Sequence, residues 1–180
     1  KVEYLEHLMD VGFDSIDIGS FVSAKAIPQM ADSAEVLHRL SMVKGKNRFL
    51  VIAANRHGVS SACAHPVVDV IGFPFSASDE FQRRNTNRTR EQAMEELCDH
   101  AKMIRQSGKS LVVYVSMAFG NPYGDPFSLE EVAHWVDRIQ SEVAPEAISL
   151  SDTVAMARPE SIRELVATCR QVSPAANLGL

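Results

Sequence analysis

The segment Ser-Ile-Asp-Ile-Gly-Ser-Phe-Val-Ser-Ala-Lys-Ala-Ile-Pro-Gln-Met-Ala-Asp, residues 15–32, begins as an apolar strand and ends as a polar loop. Two β-branched isoleucines flank the carboxylate of Asp17, which is costly to bury unless it has a partner or a chemical role. Ser20 and Lys25 place a hydroxyl and an ammonium group beyond the end of this strand. Because ligands bind at the carboxyl ends of strands in parallel α/β folds, the segment indicates a site there. A second interpretation is that Asp17 caps a loop and that Lys25 is solvated.

Apolar runs of strand length recur along the rest of the chain, and helical patterns separate them. The predicted strands are 13–19, 49–54, 67–75, 111–117 and 147–153, with the opening of a sixth at 177–180, and the predicted helices are 2–11, 33–43, 58–65, 89–107, 129–143 and 159–171. This alternation is typical of a parallel sheet. The residues alone leave two architectures open, a small open sheet or part of a (β/α)8 barrel. A whole barrel takes about 250 residues, so this chain would supply only about five to six of its central β/α units.

Composition places the chain among globular proteins and argues against several functional classes. With 180 residues, 46% hydrophobic and 23% charged, it is long enough for one domain with a substantial core. A net charge of −5 argues against a nucleic-acid or anionic-membrane surface, and no apolar run is long enough to span a bilayer. Neither a glycine-rich dinucleotide motif nor a P-loop follows any predicted strand. The three cysteines are far apart and lack metal-site spacing, as in reduced cytoplasmic proteins.

Polar residues follow nearly every predicted strand, and in a barrel all of these strand ends meet at one rim. The candidates for binding or catalysis are Asp17, Ser20, Lys25, Ser78, Arg83, Arg84, Asn85, Asn121, Ser149, Asp152 and Thr153. One such cluster means little, whereas clusters after several strands favour a shared pocket. The six histidines form no His-x-His or His-x-x-x-His pair, so the sequence indicates no metal site within these residues.

Four motifs resemble, in the same order, those of the hydroxymethylglutaryl-CoA lyases, which belong to the DRE-TIM metallolyase group. Residues 21–32 resemble the signature that follows the second barrel strand, and residues 76–87 are similar to Ser-x-Ser-Glu-x-Phe-x-x-x-Asn. Residues 120–125 resemble the Gly-Cys-Pro-Tyr loop, and residues 148–153 resemble the Ile-Ser-Leu-x-Asp-Thr segment. The chain departs from the family pattern at Asp17, Ala24, Asp79 and Asn121, where the family has Glu, Pro, Glu and Cys.

The resemblance implies both a fold and a reaction. The fold is α/β, a (β/α)8 TIM barrel that is incomplete here, with residues 1–180 as a single partial lyase domain that lacks the first and the last strands. The reaction is the metal-assisted retro-Claisen cleavage of 3-hydroxy-3-methylglutaryl-CoA, or of a close acyl-CoA, to acetyl-CoA and acetoacetate, a step of leucine catabolism. Mg²⁺ or Mn²⁺ acts as the Lewis acid. The family's metal ligands, an Asp after the first strand and a His-x-His on the seventh, are absent from this sequence. We therefore expect metal binding and activity only in a longer chain.

The resemblance also assigns roles to the candidate residues. Asp17, Asp152 and Thr153 would be catalytic, the two carboxylates by orienting the outer shell of the metal and the reacting groups. The substrate-binding set would be Ser20, Lys25, Ser78, Arg83, Arg84, Asn85, Asn121 and Ser149. The arginines and Asn85 would meet the acyl-CoA chain or its phosphates, since guanidinium suits phosphate. For the two arginines a solvated helix entrance is an equally open interpretation.

Two other functions stay open. One is a Claisen-type synthase of the same superfamily. The other is a non-catalytic binding or assembly piece, because an open parallel sheet exposes edges that pair with other chains. We further expect a homo-oligomer in the cytoplasm, or in the mitochondrial matrix of a eukaryotic source, with an acyl-CoA as its partner and with neither nucleic acid nor membrane.

Overall fold

Helices and parallel strands alternate along the whole chain. The computed structural model describes residues 1–23, 25 and 27–180. The strands are β1 Ser15–Ser20, β2 Arg48–Ile52, β3 Val70–Ser76, β4 Ser110–Ser116, β5 Ala147–Ser151 and β6 Leu178–Gly179. The helices are α1 Val2–Asp10, α2 Ser33–Ser41, α3 Arg56–Ala64, α4 Asp79–Thr86, α5 Arg90–Gln106, α6 Leu129–Val143 and α7 Pro159–Val172, with a short 3-10 helix at Pro28–Met30. The strands occupy the sheet in the order in which they occur in the sequence. This arrangement confirms the predicted α/β class with parallel strands.

The helix and strand positions follow the sequence patterns that predicted them. Six of the seven helices coincide with predicted ones to within two residues at each end. The exception is α4, which lies inside a polar, basic segment where no helix was predicted. Its composition offers no apolar stripe, which is the main signal of a packed helix. The chain divides into two compact units, residues 1–72 with 102–110, and residues 73–101 with 111–180.

The first unit has an apolar interior built on β2. Phe49 and Val51 are completely buried, as expected for a strand of a parallel sheet covered on both faces. The loop before β3 is held by two ammonium groups. The Nζ of Lys44 donates to the Val67 carbonyl at 2.9 Å, and the Nζ of Lys109 donates to the Val68 carbonyl at 2.7 Å. These two bonds anchor the loop at the amino end of β3.

The second unit buries a large aromatic cluster. Phe75 on β3 packs against Trp135 on α6, with ring centroids 5.0 Å apart. The guanidinium carbons of Arg90 and Arg138 lie 5.3 Å and 4.9 Å from the centroid of the Trp135 ring. These contacts combine apolar burial with cation–π attraction. Because Arg90 also donates to the Ala77 carbonyl at 2.9 Å, the cluster reaches the loop that follows β3.

Two properties of the described residues bear on the predicted setting of the protein. Among the residues that the structure describes, none of the helices combines the length and the apolar character that crossing a bilayer requires.

Cys169 is fully buried on α7, and burial raises the pKa of its thiol to about 11. A thiol of that pKa is almost entirely protonated at neutral pH, so it is a poor nucleophile.

Candidate functional site

Asp17 lies in a cavity beside β1 in the first unit. The cavity has a volume of about 460 Å³, and its lining is mostly apolar, with Leu5, Ile18 and Val36 among the residues that form it. At its rim, Lys1 forms an ion pair and a hydrogen bond with Asp32. The pairing of β1 with β2 is irregular between Asp17 and Gly19. Bulges of this kind redirect side chains and are frequent beside binding sites.

The carboxyl group of Asp17 has few hydrogen-bond donors. The backbone N–H of Gly19 donates to its Oδ1 over 3.3 Å. Although the side chain reaches solvent, neighbouring protein atoms remove part of its hydration, and this desolvation raises the pKa of Asp17 more than the Gly19 hydrogen bond lowers it. A carboxylate with a raised pKa is a stronger base than an ordinary surface aspartate.

The end of β1 is built around Ser20. Its Oγ donates to the Ile52 carbonyl at 3.1 Å, and its own carbonyl accepts from the Oγ of Ser33 at 2.9 Å. Ser20 also lines the Asp17 cavity, so the structure brings these two predicted site residues together. Lys25 is exposed in a turn. Ala24, where the family pattern has proline, lies outside the described residues.

A close backbone crossing holds the loop after β1 against α3. A Cβ atom added to Gly58 would lie 2.3 Å from the Phe21 carbonyl oxygen, well inside the contact distance. Only glycine allows this approach. The first turn of α3 is completed by Asn55, whose side-chain oxygen accepts from the Gly58 N–H at 2.9 Å. His57 and Ser61 of the same helix line a smaller cavity of about 180 Å³ that Ser20 also borders.

In the second unit, Ser78 is buried and caps α4. Its Oγ donates to the Oδ2 of Asp125 at 2.5 Å and accepts from the Phe81 N–H at 3.1 Å. Asp125 accepts a second hydrogen bond from the Glu80 N–H at 2.9 Å. The Ser78 bond, followed by the Glu80 bond, lowers the pKa of the Asp125 carboxyl group. Ser78 thus holds its own helix and the loop after β4 together.

Asn121 organises the loop that carries Asp125. Its Oδ1 accepts from the backbone N–H groups of Tyr123 at 3.0 Å and Asp125 at 3.2 Å. Its Nδ2 donates to the Asp125 carbonyl at 3.2 Å. Asparagine side chains commonly stabilise turns through such local bonds. The structure therefore connects the predicted site residues Ser78 and Asn121 through Asp125.

Arg83, Arg84 and Asn85 lie on the exposed side of α4. Arg83 pairs with Asp79 at 2.8 Å and Arg84 with Glu80 at 2.7 Å, each one helical turn earlier. The Arg84 guanidinium also lies 4.7 Å from the centroid of the Tyr123 ring. The hydrogen bond with Glu80 raises the pKa of Arg84. These cations are accessible to an anionic ligand, and they are held by surface ion pairs of small net strength.

The residues after β5 shape the ends of two strands. Asp152 accepts from the Met156 N–H at 2.9 Å and the Ala157 N–H at 3.0 Å, one with each carboxylate oxygen. The Oγ1 of Thr153 accepts from the Met117 N–H at 3.0 Å. Met117 is buried and has a φ of 59°, a strained value for a residue other than glycine. Ser149 is half-buried within β5.

Sequence reasoning assigned no role to two residues of this region. Gln82 is fully buried in α4, and Asp125 joins α4 to the loop after β4. The turn sequence Asn-Pro-Tyr-Gly-Asp at 121–125 was a signal for a structured loop, but it does not reveal which helix the final aspartate caps. No local pattern indicates Gln82, because a single polar residue in a polar segment has no periodicity.

The described residues do not form a metal centre. Within residues 1–23, 25 and 27–180, no group of three or more His, Cys, Asp or Glu side chains is placed to hold a metal ion. Divalent-metal sites of catalytic enzymes need several such ligands around one point.

The alternation of helices with parallel strands, and the order of these strands in the sheet, define an incomplete TIM barrel. The structure superimposes on the HMG-CoA lyase from Brucella melitensis with a TM-score of 0.89 and 28% sequence identity, covering 98% of this chain and 62% of that one. This comparison confirms the predicted incomplete (β/α)8 architecture.

Sequence comparison identifies the family. The HMGL-like family model matches residues 1–179, and the chain belongs to that family. It is 31% identical over 180 residues to the mitochondrial hydroxymethylglutaryl-CoA lyase of Bos taurus, covering all of this chain and 54% of the bovine protein. It is 31% identical over 166 residues to the 3-hydroxy-3-isohexenylglutaryl-CoA/hydroxymethylglutaryl-CoA lyase of Pseudomonas aeruginosa, covering 92% of this chain and 54% of that protein. The chain thus spans about half the length of these relatives.

Proposed function

We propose that this chain is the central part of a hydroxymethylglutaryl-CoA lyase-type enzyme. Its reaction would be the cleavage of 3-hydroxy-3-methylglutaryl-CoA, or of a close acyl-CoA, to acetyl-CoA and acetoacetate. The observation that carries the proposal is the HMGL-like family match over residues 1–179, together with relatives named as lyases of this kind. Because the chain covers about half of those relatives, the proposed activity belongs to a protein longer than these 180 residues.

The proposed chemistry begins at the C3 hydroxyl group of the substrate. A carboxylate takes the hydroxyl proton as the C3–O bond becomes a ketone and the C2–C3 bond breaks. The electron pair of that bond passes to the thioester as an enolate, which takes up a proton to give acetyl-CoA. Asp17 is the group that we propose for proton transfer, because the family resemblance makes it catalytic and because desolvation raises its pKa.

The other predicted catalytic residues have a supporting role in this proposal. Both oxygens of Asp152 already accept backbone hydrogen bonds, and Thr153 accepts from Met117. These contacts hold the loop after β5 and the end of β4, where the substrate would lie. The binding of a divalent cation, Mg²⁺ or Mn²⁺, stays a prediction from the family resemblance. Its ligands would come from outside the residues that the structure describes. When bound, it would stabilise the developing alkoxide as a Lewis acid.

Substrate binding would use the cations and hydroxyl groups around these strand ends. We propose that Lys25, Arg83, Arg84 and Asn85 meet the coenzyme A phosphates or chain, since all four are exposed. Ser20, Ser149, Ser78 and Asn121 would shape the acyl site, the last two by holding α4 and its neighbouring loop. A homo-oligomer and a cytoplasmic location stay predictions, and relatives of the chain are named both as mitochondrial and as cytoplasmic proteins.

The test is an acetoacetate assay on the complete natural protein with 3-hydroxy-3-methylglutaryl-CoA and Mg²⁺. We expect equal amounts of acetoacetate and acetyl-CoA, and we expect a chelator to abolish both. A folded protein without turnover would refute the proposal and favour a binding or assembly role. Consumption of acetyl-CoA with a 2-oxo acid, in place of its release, would identify a synthase instead.

A further inference from the structure

Helix α4 is held mainly by polar contacts, together with one ring contact between Phe81 and Tyr123. Its one buried side chain is that of Gln82, which is only 1% exposed. A helix at a protein surface normally docks through an apolar stripe that faces the core. With a polar residue in the buried position, the orientation of α4 depends in part on the hydrogen bonds that this residue makes.

The amide of Gln82 bridges two elements. Its Oε1 accepts from the Ser76 N–H, at the end of β3, over 2.8 Å. Its Nε2 donates to the Oγ1 of Thr86, in the last turn of α4, over 2.6 Å. Ser76 is itself buried, and its Oγ accepts from the Ser78 N–H at 3.0 Å. The Gln82 amide therefore supplies the hydrogen-bond acceptor for the buried N–H of Ser76, and leaving such a group without an acceptor is costly.

The other contacts of α4 lie at its amino end and on the ring of Tyr123, where the Phe81 ring stacks with centroids 6.3 Å apart and the Arg84 guanidinium lies 4.7 Å from the centroid. Asp125 binds Ser78 and the Glu80 N–H, which are both at the first turn. The Asp125 contacts fix where the helix begins, whereas the Gln82 bridge and the Phe81–Tyr123 contact bear on the rotation of the helix. Side chains extend about 5–6 Å from the axis of an α-helix, so a rotation of about 20° moves the ends of the Arg83 and Arg84 side chains by about 2 Å.

We propose that Gln82 is a positioning residue, which sets the orientation of α4 and so aims Arg83, Arg84 and Asn85 at the acyl-CoA. The inference rests on the proposed function for the identity of the ligand. The geometric part of the inference is independent of the proposed function, because the Ser76–Gln82–Thr86 bridge involves no substrate.

The experiment compares three variants of the complete natural protein with the wild type. Q82M keeps the length of the side chain and removes both hydrogen bonds. Q82E keeps an oxygen that accepts from Ser76, and burial favours its neutral form, which can donate to Thr86. Q106M makes the same chemical change at an exposed residue at the end of α5 and serves as the matched control.

Two readouts separate positioning from a purely structural role. The first is KM for 3-hydroxy-3-methylglutaryl-CoA alongside kcat. We expect Q82M to raise KM by about tenfold or more while kcat changes less than about threefold, since a displacement of about 1 Å has effects of this size or larger. Q82E and Q106M should stay within about threefold of the wild type in both constants. The second readout is hydrogen–deuterium exchange over residues 76–86, which Q82M should accelerate and Q106M should not.

The outcomes are distinct. A Q82M protein with lower thermal stability but with wild-type KM would overturn the inference, and so would unchanged exchange over residues 76–86. If the wild-type protein does not cleave the substrate, the proposed function fails. In that case the exchange comparison still decides whether Gln82 holds α4.

Discussion

Two aspartates at strand ends show how differently this chain uses the same side chain. Asp17, beside β1, receives one long hydrogen bond, and desolvation raises its pKa. Asp125, in the loop after β4, receives two short ones, and these lower its pKa. A carboxylate whose lone pairs are occupied by protein donors is stabilised in its charged form and has little tendency to take a proton.

The comparison separates a chemical role from an architectural one. Asp17 borders a cavity of about 460 Å³ with oxygen atoms that are available to a ligand. Asp125 serves as an additional cap for α4, whose one fully buried side chain is the polar Gln82. The predictions below test whether this division holds, first for activity and then for stability.

The largest expected effect is the loss of activity in D17N. An asparagine of the same shape cannot accept the substrate proton, so kcat of the complete protein should fall by about a hundredfold or more. Acetoacetate release measures this effect. The matched control is D14N, which changes a nearby aspartate that accepts from the Ser15 Oγ on the protein surface. Wild-type kcat in D17N would show that the raised pKa serves no proton transfer.

The next effect concerns stability and should be confined to Asp125. D125A removes the acceptor for the Ser78 Oγ and the Glu80 N–H, so the free energy of unfolding should fall by about 1 kcal/mol, the usual size for a helix cap. Urea denaturation measures this change at pH 7.

The pH dependence of that change follows from the lowered pKa. The folded-state pKa of Asp125 lies below the value of about 3.9 that an aspartate has in the unfolded chain, so its charged carboxyl group stabilises the folded protein above about pH 3.9. This stabilisation is lost as the pH falls through the folded-state pKa. The difference between D125A and the wild type should therefore shrink below about pH 4. If the difference in the free energy of unfolding persists unchanged in acid, D125A destabilises the protein by removing packing and not by removing a charge.

The two aspartates also show how far sequence reasoning reaches. The sheet, its parallel direction and six of the seven helices followed from apolar periodicity, because strands and helices such as β2 and α6 bury a regular face. Asp17 was conspicuous for a related reason, as a lone charge between two isoleucines. Asp125 was visible only as one polar residue in a turn, since its partners Ser78 and Glu80 are more than forty residues away in the chain.

The same reasoning explains why α4 was missed. Its position depends on Gln82, Ser78 and Asp125, and each of these contacts joins separate elements through specific atoms. Hydrogen bonds between elements leave no period in the sequence. The arginines after Gln82 were recognised as candidates, but which of them an acyl-CoA would reach depends on a helix orientation that the sequence does not display.

A smaller effect is expected from restoring the family residue at position 121. N121C removes an oxygen that accepts two backbone hydrogen bonds and an amide that donates a third. Because the loop is partly exposed and water can replace some of these bonds, we expect a loss of about 1 kcal/mol or less in the free energy of unfolding. N121D retains the acceptor oxygen and should lose less. Equal losses in the two variants would mean that the Nδ2 donor dominates the loop.

The smallest expected effect is an increase in stability when Asp17 loses its charge. Since the folded-state pKa of Asp17 is raised, the charged carboxyl group costs stability above that pKa, and protonation relieves the cost as the pH falls through it. D17N should therefore be slightly more stable than the wild type at pH 7, and this advantage should vanish in acid. Because the carboxylate retains contact with solvent, screening limits the gain to about 0.5 kcal/mol or less.

Urea denaturation of D17N and D125A at the same pH values provides the sharpest form of the comparison. The two substitutions should change the free energy of unfolding in opposite directions at pH 7, because one removes a desolvated charge and the other a charge with two donors. D14N again controls for the loss of one negative charge from a chain with a net charge of −5. If D17N destabilises the protein as D125A does, Asp17 is part of the architecture, and the division between the two carboxylates is wrong.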